Sequence, residues 1–157
     1  MTSILFVCTA NRYRSPIAAA CFQAELTRRG QTSDWEVSSA GTWAVEDLPP
    51  VADAIIKARL MDLDIQNHRS RTITESMLQE ADLVLVMERG HKEALQIEFA
   101  PYAEKVALLS EVATGVVSDI PDPVMDPQYT DAVPEIHTLI QAGFEDICAR
   151  AVQNHKR

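Results

Sequence analysis

Short apolar runs alternate along this chain with longer segments in which apolar residues recur at helical spacing. Continuous apolar runs of strand length lie at 4–7, 81–87 and 105–109, and residues 35–42 form a further strand candidate. Apolar runs without polar alternation are typical of strands that are buried on both faces of a parallel sheet. The pattern therefore predicts four strands that belong to the core.

The segments between these strands have the three- and four-residue apolar spacing of amphipathic helices. In the first such segment, Ile17, Cys21 and Ala24 fall on one face. Strands that alternate with helices predict an α/β fold, with a doubly wound, four-stranded parallel sheet and helices on both faces, in one domain over residues 1–157. The predicted helices are 17–29, 51–61, 88–96 and 131–152, with a short helix after Thr74.

The first predicted strand runs into a short loop and then into a helix. Cys8 ends the strand, Ser15 is a good N-cap, and Pro16 suits the first helical position because its missing N–H costs nothing there. A loop in this position presents unpaired backbone N–H groups and the positive end of the helix dipole, and both favour an anion. The stretch therefore predicts an oxyanion site at the end of the strand.

Cys8 and Arg14 are the candidate reactive and anion-binding side chains of this predicted oxyanion site. A thiolate is favoured near a helix N-terminus, and the planar guanidinium of Arg14 matches two oxygens of a tetrahedral oxyanion. A sulfur nucleophile beside a bound phosphoryl group is the arrangement needed for covalent catalysis at phosphorus. The residue types alone also allow a simpler interpretation, in which Cys8 is a buried strand-end cysteine and Arg14 is a surface charge.

Three segments resemble the signatures of one enzyme family. The string from Val7 to Pro16 resembles the phosphate-binding loop of the low-molecular-weight protein tyrosine phosphatases, a loop that the thioredoxin-coupled arsenate reductases also use. The Ser-Ala-Gly-Thr string at 39–42 and the Asp-Pro pair at 122–123 are similar to further family signatures. The resemblance implies a flavodoxin-like fold and a phosphatase that hydrolyses phosphotyrosine through a cysteinyl-phosphate intermediate, without a cofactor or a metal.

The same resemblance assigns the catalytic roles. Cys8 is the nucleophile, Arg14 clamps the phosphoryl group, and Asp122 donates the leaving-group proton before it acts as the base. The Ile-Pro context before Asp122 favours it over Asp126, which opens a second Asp-Pro pair. The rest of the phosphate-binding loop is Thr9, Ala10, Asn11, Arg12, Tyr13 and Ser15, the last of which is expected to stabilise the thiolate.

Residues outside the loop receive supporting roles from the resemblance. Ser39 belongs to a hydrogen-bond network that braces the loop, His68 supports Asn11, and Trp43 is a candidate wall of the aryl pocket. From residue types alone, Ser39 fits an ordinary turn equally well. His68 then fits a solvated basic loop, and Trp43 fits a position over the sheet edge.

The composition limits the classes of partner. The 157 residues carry a net charge of −9 and a pI of about 4.8, which argues against binding to nucleic acid. No apolar run approaches the length of a membrane span and no signal region is evident, so we expect a cytoplasmic protein without a membrane partner. Three cysteines have no paired spacing, and the four histidines show no metal-ligand spacing. The expected partner is a tyrosine-phosphorylated protein, with inorganic phosphate or vanadate as inhibitors.

The chain departs from the family pattern at four positions near the site. Ala10 stands where many members have glycine, and Tyr13 stands where many eukaryotic members have a second cysteine. Val124 and Met125 follow the Asp-Pro motif in place of aromatic residues. A protective disulfide with the nucleophile therefore cannot form through Tyr13, and positions 124 and 125 give no aromatic grip on the substrate.

Two other functions stay open on the sequence. The first is arsenate reduction with an external thiol. The thioredoxin-coupled version is disfavoured because residues 22–147 contain no cysteine. The second is a regulatory module that binds phosphate without catalysis, although an intact set of Cys8, Arg14 and Asp122 argues against it.

Overall fold

The computed structural model describes residues 1–157 and has one four-stranded sheet in which every pairing is parallel. Its strand order is β2-β1-β3-β4. This order places the first strand in the interior, and it confirms the predicted α/β class. The strands are β1 (Thr2–Cys8), β2 (Trp35–Gly41), β3 (Leu83–Val86) and β4 (Val106–Leu108).

Six α-helices connect or follow these strands, and none of them is long and apolar enough to cross a membrane. Short 3₁₀ turns at Thr32–Asp34 and Ala100–Lys105 precede β2 and β4. The helices are α1 (Arg14–Arg28), α2 (Ala52–Leu60), α3 (Glu75–Glu80), α4 (Arg89–Glu98), α5 (Leu109–Thr114) and α6 (Ala132–His155).

The two faces of β1 bury different clusters of side chains. Phe6 points into a cluster of 26 buried residues that includes Phe22 of α1 and Phe144 of α6. Val7 points into a second cluster of 11 residues on the opposite face, which includes Leu95 of α4. Because side chains alternate along a strand, both faces of β1 are covered, as its unbroken apolar run predicts. The carboxyl end of β1 is therefore fixed from both sides.

The start of α1 differs from the sequence prediction. The helix begins at Arg14, its N-cap is Tyr13 without a side-chain hydrogen bond, and Ser15 already lies inside the first turn. The prediction of Ser15 as N-cap is therefore wrong. The physical reason is a competing partner, since the Ser15 hydroxyl lies against the sulfur of Cys8 at 3.0 Å.

The sequence pattern does not predict helix α5, because the apolar run 105–109 has the character of a strand throughout. In the structure the strand ends at Leu108 and the next residue begins the helix. Helix α5 then packs closely on α6. A Cβ added at Gly143 would lie 2.4 Å from the Cα of Ala113, so α5 approaches α6 closely only because residue 143 has no side chain.

Candidate active site

The loop between β1 and α1 turns its carbonyl groups outward. The carbonyls of Cys8, Thr9 and Arg12 accept hydrogen bonds from backbone N–H groups of neighbouring segments at 2.8, 3.0 and 3.1 Å. The backbone N–H groups of residues 9–13 donate no hydrogen bond within the protein. Buried or half-buried donors without partners are uncommon, and a set of them on one curved loop is suited to an anion.

Asn11 holds the curvature of this loop. Its backbone lies in the left-handed region with φ of 58°, which asparagine tolerates better than most residues. The fully buried side chain donates from Nδ2 to the hydroxyls of Ser15 (2.8 Å) and Ser39 (3.0 Å), and its Oδ1 accepts from the backbone N–H of Arg71 (3.0 Å). The loop is thus tied to β2 and to the segment after α2.

His68 reaches the same residue from the outside of the loop. Its Nε2 lies 2.7 Å from the backbone carbonyl oxygen of Asn11. A carbonyl only accepts, so Nε2 carries the proton and donates it. Burial lowers the pKa of His68, which keeps the ring neutral. Both supporting residues expected from the sequence, Ser39 and His68, therefore contact Asn11.

A hydrogen bond from Ser15 prepares the sulfur of Cys8 for negative charge. The two side chains are buried, with Sγ 3.0 Å from the Ser15 oxygen. Because Asn11 donates to that same oxygen, the Ser15 hydroxyl can direct its hydrogen to another acceptor. The two acceptors within reach are the sulfur of Cys8 at 3.0 Å and the carbonyl oxygen of Ala40 at 3.5 Å, and a thiolate is the nearer and the charged one. A donor held in this direction stabilises a thiolate.

Arg14 is almost completely buried, with 1% of its surface exposed. Its Nη1 donates to the carboxylate of Glu88 at 2.7 Å and to the carbonyl oxygen of Ile120 at 2.8 Å. Nε and Nη2 make no hydrogen bond, and the nearest carboxylate oxygen to Nη2 belongs to Asp122 at 3.8 Å. One edge of the guanidinium is therefore anchored, and the other is left for two oxygens of a ligand.

Asp122 lies above Arg14 on the loop that leads to α6. Its Oδ1 accepts from the backbone N–H of Val124 at 2.9 Å, a local turn that fixes the carboxylate. Its backbone carbonyl accepts from the N–H of Asp126 at 2.8 Å. Asp126 is exposed and has no ion pair, whereas Asp122 is within 4 Å of Arg14. Of the two aspartates, Asp122 is therefore the one whose carboxylate lies beside Arg14.

These groups surround a cavity of about 590 Å³. Tyr13 is a buried wall, and its hydroxyl donates to Asp53 at 2.6 Å; burial, followed by that hydrogen bond, raises its pKa. Arg12 lies at the rim, where its Nε donates to the carbonyl of Pro49 at 2.7 Å. Trp43 lines the mouth but is 86% exposed. The other lining residues are Cys8, Thr9, Ala10, Arg14, Val51, Glu88, Pro121, Asp122, Val124, Met125 and Asp126.

Comparison with known proteins identifies the family of this chain. A family model described as low molecular weight phosphotyrosine protein phosphatase matches residues 3–156. The chain belongs to this family. The family resemblance stated from the sequence is thereby confirmed.

Its similar relatives carry two kinds of name. A protein-arginine-phosphatase of Bacillus subtilis is 37% identical over 123 residues, which cover 76% of this chain and 78% of the relative. A low molecular weight protein-tyrosine-phosphatase of Streptomyces coelicolor is 36% identical over 129 residues, with 76% of each chain covered. A solved structure of YwlE arginine phosphatase, a mutant with a phosphorylated active site serine, has a TM-score of 0.82 and 32% identity, covering 89% of this chain and 91% of that one.

The other two cysteines of this low-molecular-weight phosphatase lie away from the cavity. Cys21 is buried on α1, where burial raises the pKa of its thiol to about 12. Cys148 is half-buried on α6, where burial raises its pKa to about 11. Neither of them lines the cavity that contains Cys8.

Sequence reasoning missed Glu88 and His91 as residues of the site. Glu88 is the N-cap of α4 and anchors Arg14, and His91 lies in the first turn of the same helix, 2.8 Å from the Thr9 hydroxyl. One signal could have identified them: they follow a buried parallel strand directly, as Cys8 ends the first one. Carboxyl ends of parallel strands share one edge of a sheet, where ligands of such folds bind.

Proposed function

We propose that this protein is a phosphatase that hydrolyses phosphotyrosine in proteins. The observation that carries the proposal is the set of unpartnered donors around Cys8: the N–H groups of residues 9–13 and the free edge of Arg14. Together they match the oxygens of a phosphoryl group. The apolar side chains of Val51, Val124 and Met125 higher in the cavity suit an aromatic ring.

The reaction proceeds in two displacements. The thiolate of Cys8 forms a bond to phosphorus while the bond to the phenolic oxygen breaks, and Asp122 gives its proton to that oxygen. General acid assistance of this kind contributes about 10²–10⁴-fold. Water then attacks the cysteinyl phosphate, Asp122 takes its proton, and the sulfur leaves as a thiolate that Ser15 stabilises. The phosphorylated active site serine in a relative's mutant supports a covalent phosphoenzyme.

Charge stabilisation in both steps comes from fixed dipoles and one cation. The loop N–H groups and Arg14 are already oriented before the ligand binds, so little reorganisation is needed as negative charge develops. Glu88 supports this arrangement because it pairs with the edge of Arg14 that faces away from the ligand. Inorganic phosphate and vanadate, which have the same oxygen arrangement, are expected to bind as inhibitors.

Phosphoarginine is the second candidate substrate. The names of the arginine phosphatase relatives favour it, and so does the carboxylate of Asp126 at the cavity, which could accept from a guanidinium. Arg12 at the rim opposes it, because the guanidinium of phosphoarginine would meet a second cation there. Apolar walls and Arg12 together make phosphotyrosine the first choice.

A comparison of matched phosphopeptides tests the choice. Two peptides that differ only in phosphotyrosine or phosphoarginine are hydrolysed side by side, and we expect the higher kcat/KM for phosphotyrosine. The reverse order would overturn the substrate assignment and retain the enzyme class. Hydrolysis of neither, with arsenate reduction that depends on an added thiol, would replace the proposal by the reductase. Phosphate binding without either activity would replace it by a non-catalytic module.

The roles of individual residues are tested by paired variants. Cys8→Ser should abolish turnover and still bind phosphate or vanadate, whereas Cys148→Ser should remain active. Asp122→Ala should be slow on phosphotyrosine and less affected on p-nitrophenyl phosphate, whose leaving group needs no proton. Asp126→Ala is its matched control. Equal losses in Asp122→Ala and Asp126→Ala would contradict the assignment of the general acid.

A further inference from the structure

His91 is a buried histidine that the two displacements do not use. It lies in the first turn of α4 with 6% of its surface exposed. Its ring connects two parts of the site that are far apart in sequence: Nδ1 accepts from the backbone N–H of Glu88 at 3.1 Å, and Nε2 lies 2.8 Å from the hydroxyl oxygen of Thr9.

The hydrogen bond at Nδ1 fixes the tautomer. A ring nitrogen that accepts from a backbone N–H carries no proton, so the proton of the neutral ring is on Nε2. Burial, followed by the positive charge of Arg14, lowers the pKa of His91 to about 4, and the ring is neutral at physiological pH. Nε2 therefore donates to Thr9, and the Thr9 oxygen accepts.

This direction leaves the hydrogen of the Thr9 hydroxyl free. Thr9 lines the cavity next to Cys8, and its hydroxyl makes no hydrogen bond other than the one with His91. We propose that His91 orients the Thr9 hydroxyl as an additional donor to the phosphoryl group bound at Cys8. His91 is then a positioning residue, and Thr9 contributes its side chain as well as its backbone N–H. The inference rests on the proposed phosphate chemistry of this loop.

The same turn of α4 also places Glu88. The carboxylate of Glu88 accepts from the backbone N–H of His91 in a capping box and pairs with Arg14 at 2.7 Å. The imidazole Nε2 is 3.5 Å from that carboxylate. Helix α4 thus orients two groups of the site: His91 orients the Thr9 hydroxyl, and Glu88 orients Arg14.

Two substitutions separate the two hydrogen bonds of the ring. His91→Asn keeps an acceptor near the place of Nδ1 and loses the donor to Thr9, whereas His91→Gln keeps a donor near the place of Nε2 and loses the acceptor for Glu88. If His91 acts through Thr9, His91→Asn should weaken phosphate binding and lower kcat/KM on p-nitrophenyl phosphate by about 10-fold, in line with one hydrogen bond to a charged group. His91→Gln should restore most of that loss.

Thr9→Val removes the hydroxyl with little change of shape and should give the same 10-fold loss, and Thr9→Ser should regain most of it. The double variant Thr9→Val with His91→Asn should lose no more than Thr9→Val alone, because the two changes remove one interaction. His137→Asn, at a half-buried α6 position without a side-chain hydrogen bond, is the control. Thermal unfolding of each variant measures stability separately.

The opposite pattern overturns the inference. If His91→Asn binds phosphate like the unmodified protein while His91→Gln does not, the histidine serves only as a helix cap. If Thr9→Val binds phosphate normally, the hydroxyl makes no contact with it. Binding is measured by calorimetry with inorganic phosphate in the Cys8→Ser background, so the result does not depend on turnover. Failure of the proposed enzyme activity is seen separately, as absence of aryl phosphate hydrolysis by the unmodified protein.

Discussion

Replacing Asn11 with alanine should damage both stability and catalysis, because this side chain links the loop to its surroundings. The substitution removes two buried hydrogen bonds, with Ser15 and Ser39, and a half-buried one with the backbone of Arg71, and it leaves an alanine at φ of 58°. At about 0.5–1.5 kcal/mol each, the hydrogen bonds contribute about 2–4 kcal/mol, and left-handed backbone adds about 1–2 kcal/mol. We expect Asn11→Ala to lower the free energy of unfolding by about 3–6 kcal/mol, a large part of the 5–15 kcal/mol of a typical domain.

Asn11→Gly separates the two contributions. Glycine adopts a positive φ without strain, so this variant avoids the backbone penalty of about 1–2 kcal/mol, but it loses the hydrogen bonds and about 0.5–1 kcal/mol through the larger entropy of its unfolded chain. It should therefore be about 1 kcal/mol more stable than Asn11→Ala. Urea unfolding followed by circular dichroism measures both. In the same preparations kcat/KM should fall for both variants, since the Ser15 hydroxyl loses the donor that directs its hydrogen toward Cys8.

Two results would refute this reasoning. A loss below about 1 kcal/mol for Asn11→Ala would mean that the three hydrogen bonds are replaced by water and do not hold the loop. Equal stability of the alanine and glycine variants would mean that the left-handed backbone is not maintained in solution. If Asn11→Ala does not fold at all, the glycine variant still gives the hydrogen-bond contribution, together with about 0.5–1 kcal/mol from the chain entropy of glycine.

Three further predictions concern catalysis, packing and pH. Ser15→Ala should slow breakdown of the phosphoenzyme by about 10–100-fold, since a hydrogen bond to a charged group contributes about 1.5–3 kcal/mol. Rapid-mixing assays should then show a burst of product followed by slow turnover. A loss of rate confined to the burst phase would contradict this prediction. Gly143→Ala should cost about 1–3 kcal/mol by overpacking against Ala113 and leave kcat/KM unchanged; unaltered thermal unfolding would contradict it. The pKa of His91 is 6.5 in the unfolded state and about 4 in the folded state, so between pH 6.5 and pH 4 the unfolded state binds the proton and the folded state does not. The free energy of unfolding should therefore decrease by at most about 1.4 kcal/mol per pH unit as the pH falls through this range. His91→Gln should flatten this decrease, and an unchanged pH profile would contradict the assignment.

The fold and the centre of the site were predictable because their signals are local. The strand that ends at Cys8 and the helix that begins at Arg14 are neighbours in sequence, so one short stretch contains the proposed nucleophile, the proposed phosphate-binding arginine and the backbone donors between them. The partners of these residues are not local: Arg14 meets Glu88 across 74 positions, and Thr9 meets His91 across 82. Such pairs depend on strand order, which residue types alone do not determine.

The wrong prediction at Ser15 shows how local preference and tertiary chemistry compete. Serine is favoured as an N-cap because its oxygen accepts from a nearby backbone N–H. Here that oxygen accepts instead from Asn11, and the hydroxyl lies 3.0 Å from the sulfur of Cys8 and 3.5 Å from the carbonyl oxygen of Ala40. The N-terminal N–H groups of α1 are thereby left without a side-chain cap. Because the Ser15 side chain is engaged with Asn11 and Cys8, it does not cap α1, and the N–H groups at the start of the helix stay available to an anion.

The proposed phosphate site is compatible with an acidic protein because it depends on oriented donors and little on net charge. The chain has a charge of −9, and the cation at the centre, Arg14, is already paired with Glu88. Burying an arginine without a partner would cost several kcal/mol, so the ion pair is what allows the guanidinium to lie fully inside the protein. Because the pair occupies only Nη1, it neutralises the charge without occupying the edge that meets the ligand. The backbone N–H groups and Arg14 then attract an anion mainly over hydrogen-bond distances. At such distances the directions of the donors favour a tetrahedral oxyanion over anions of other shapes.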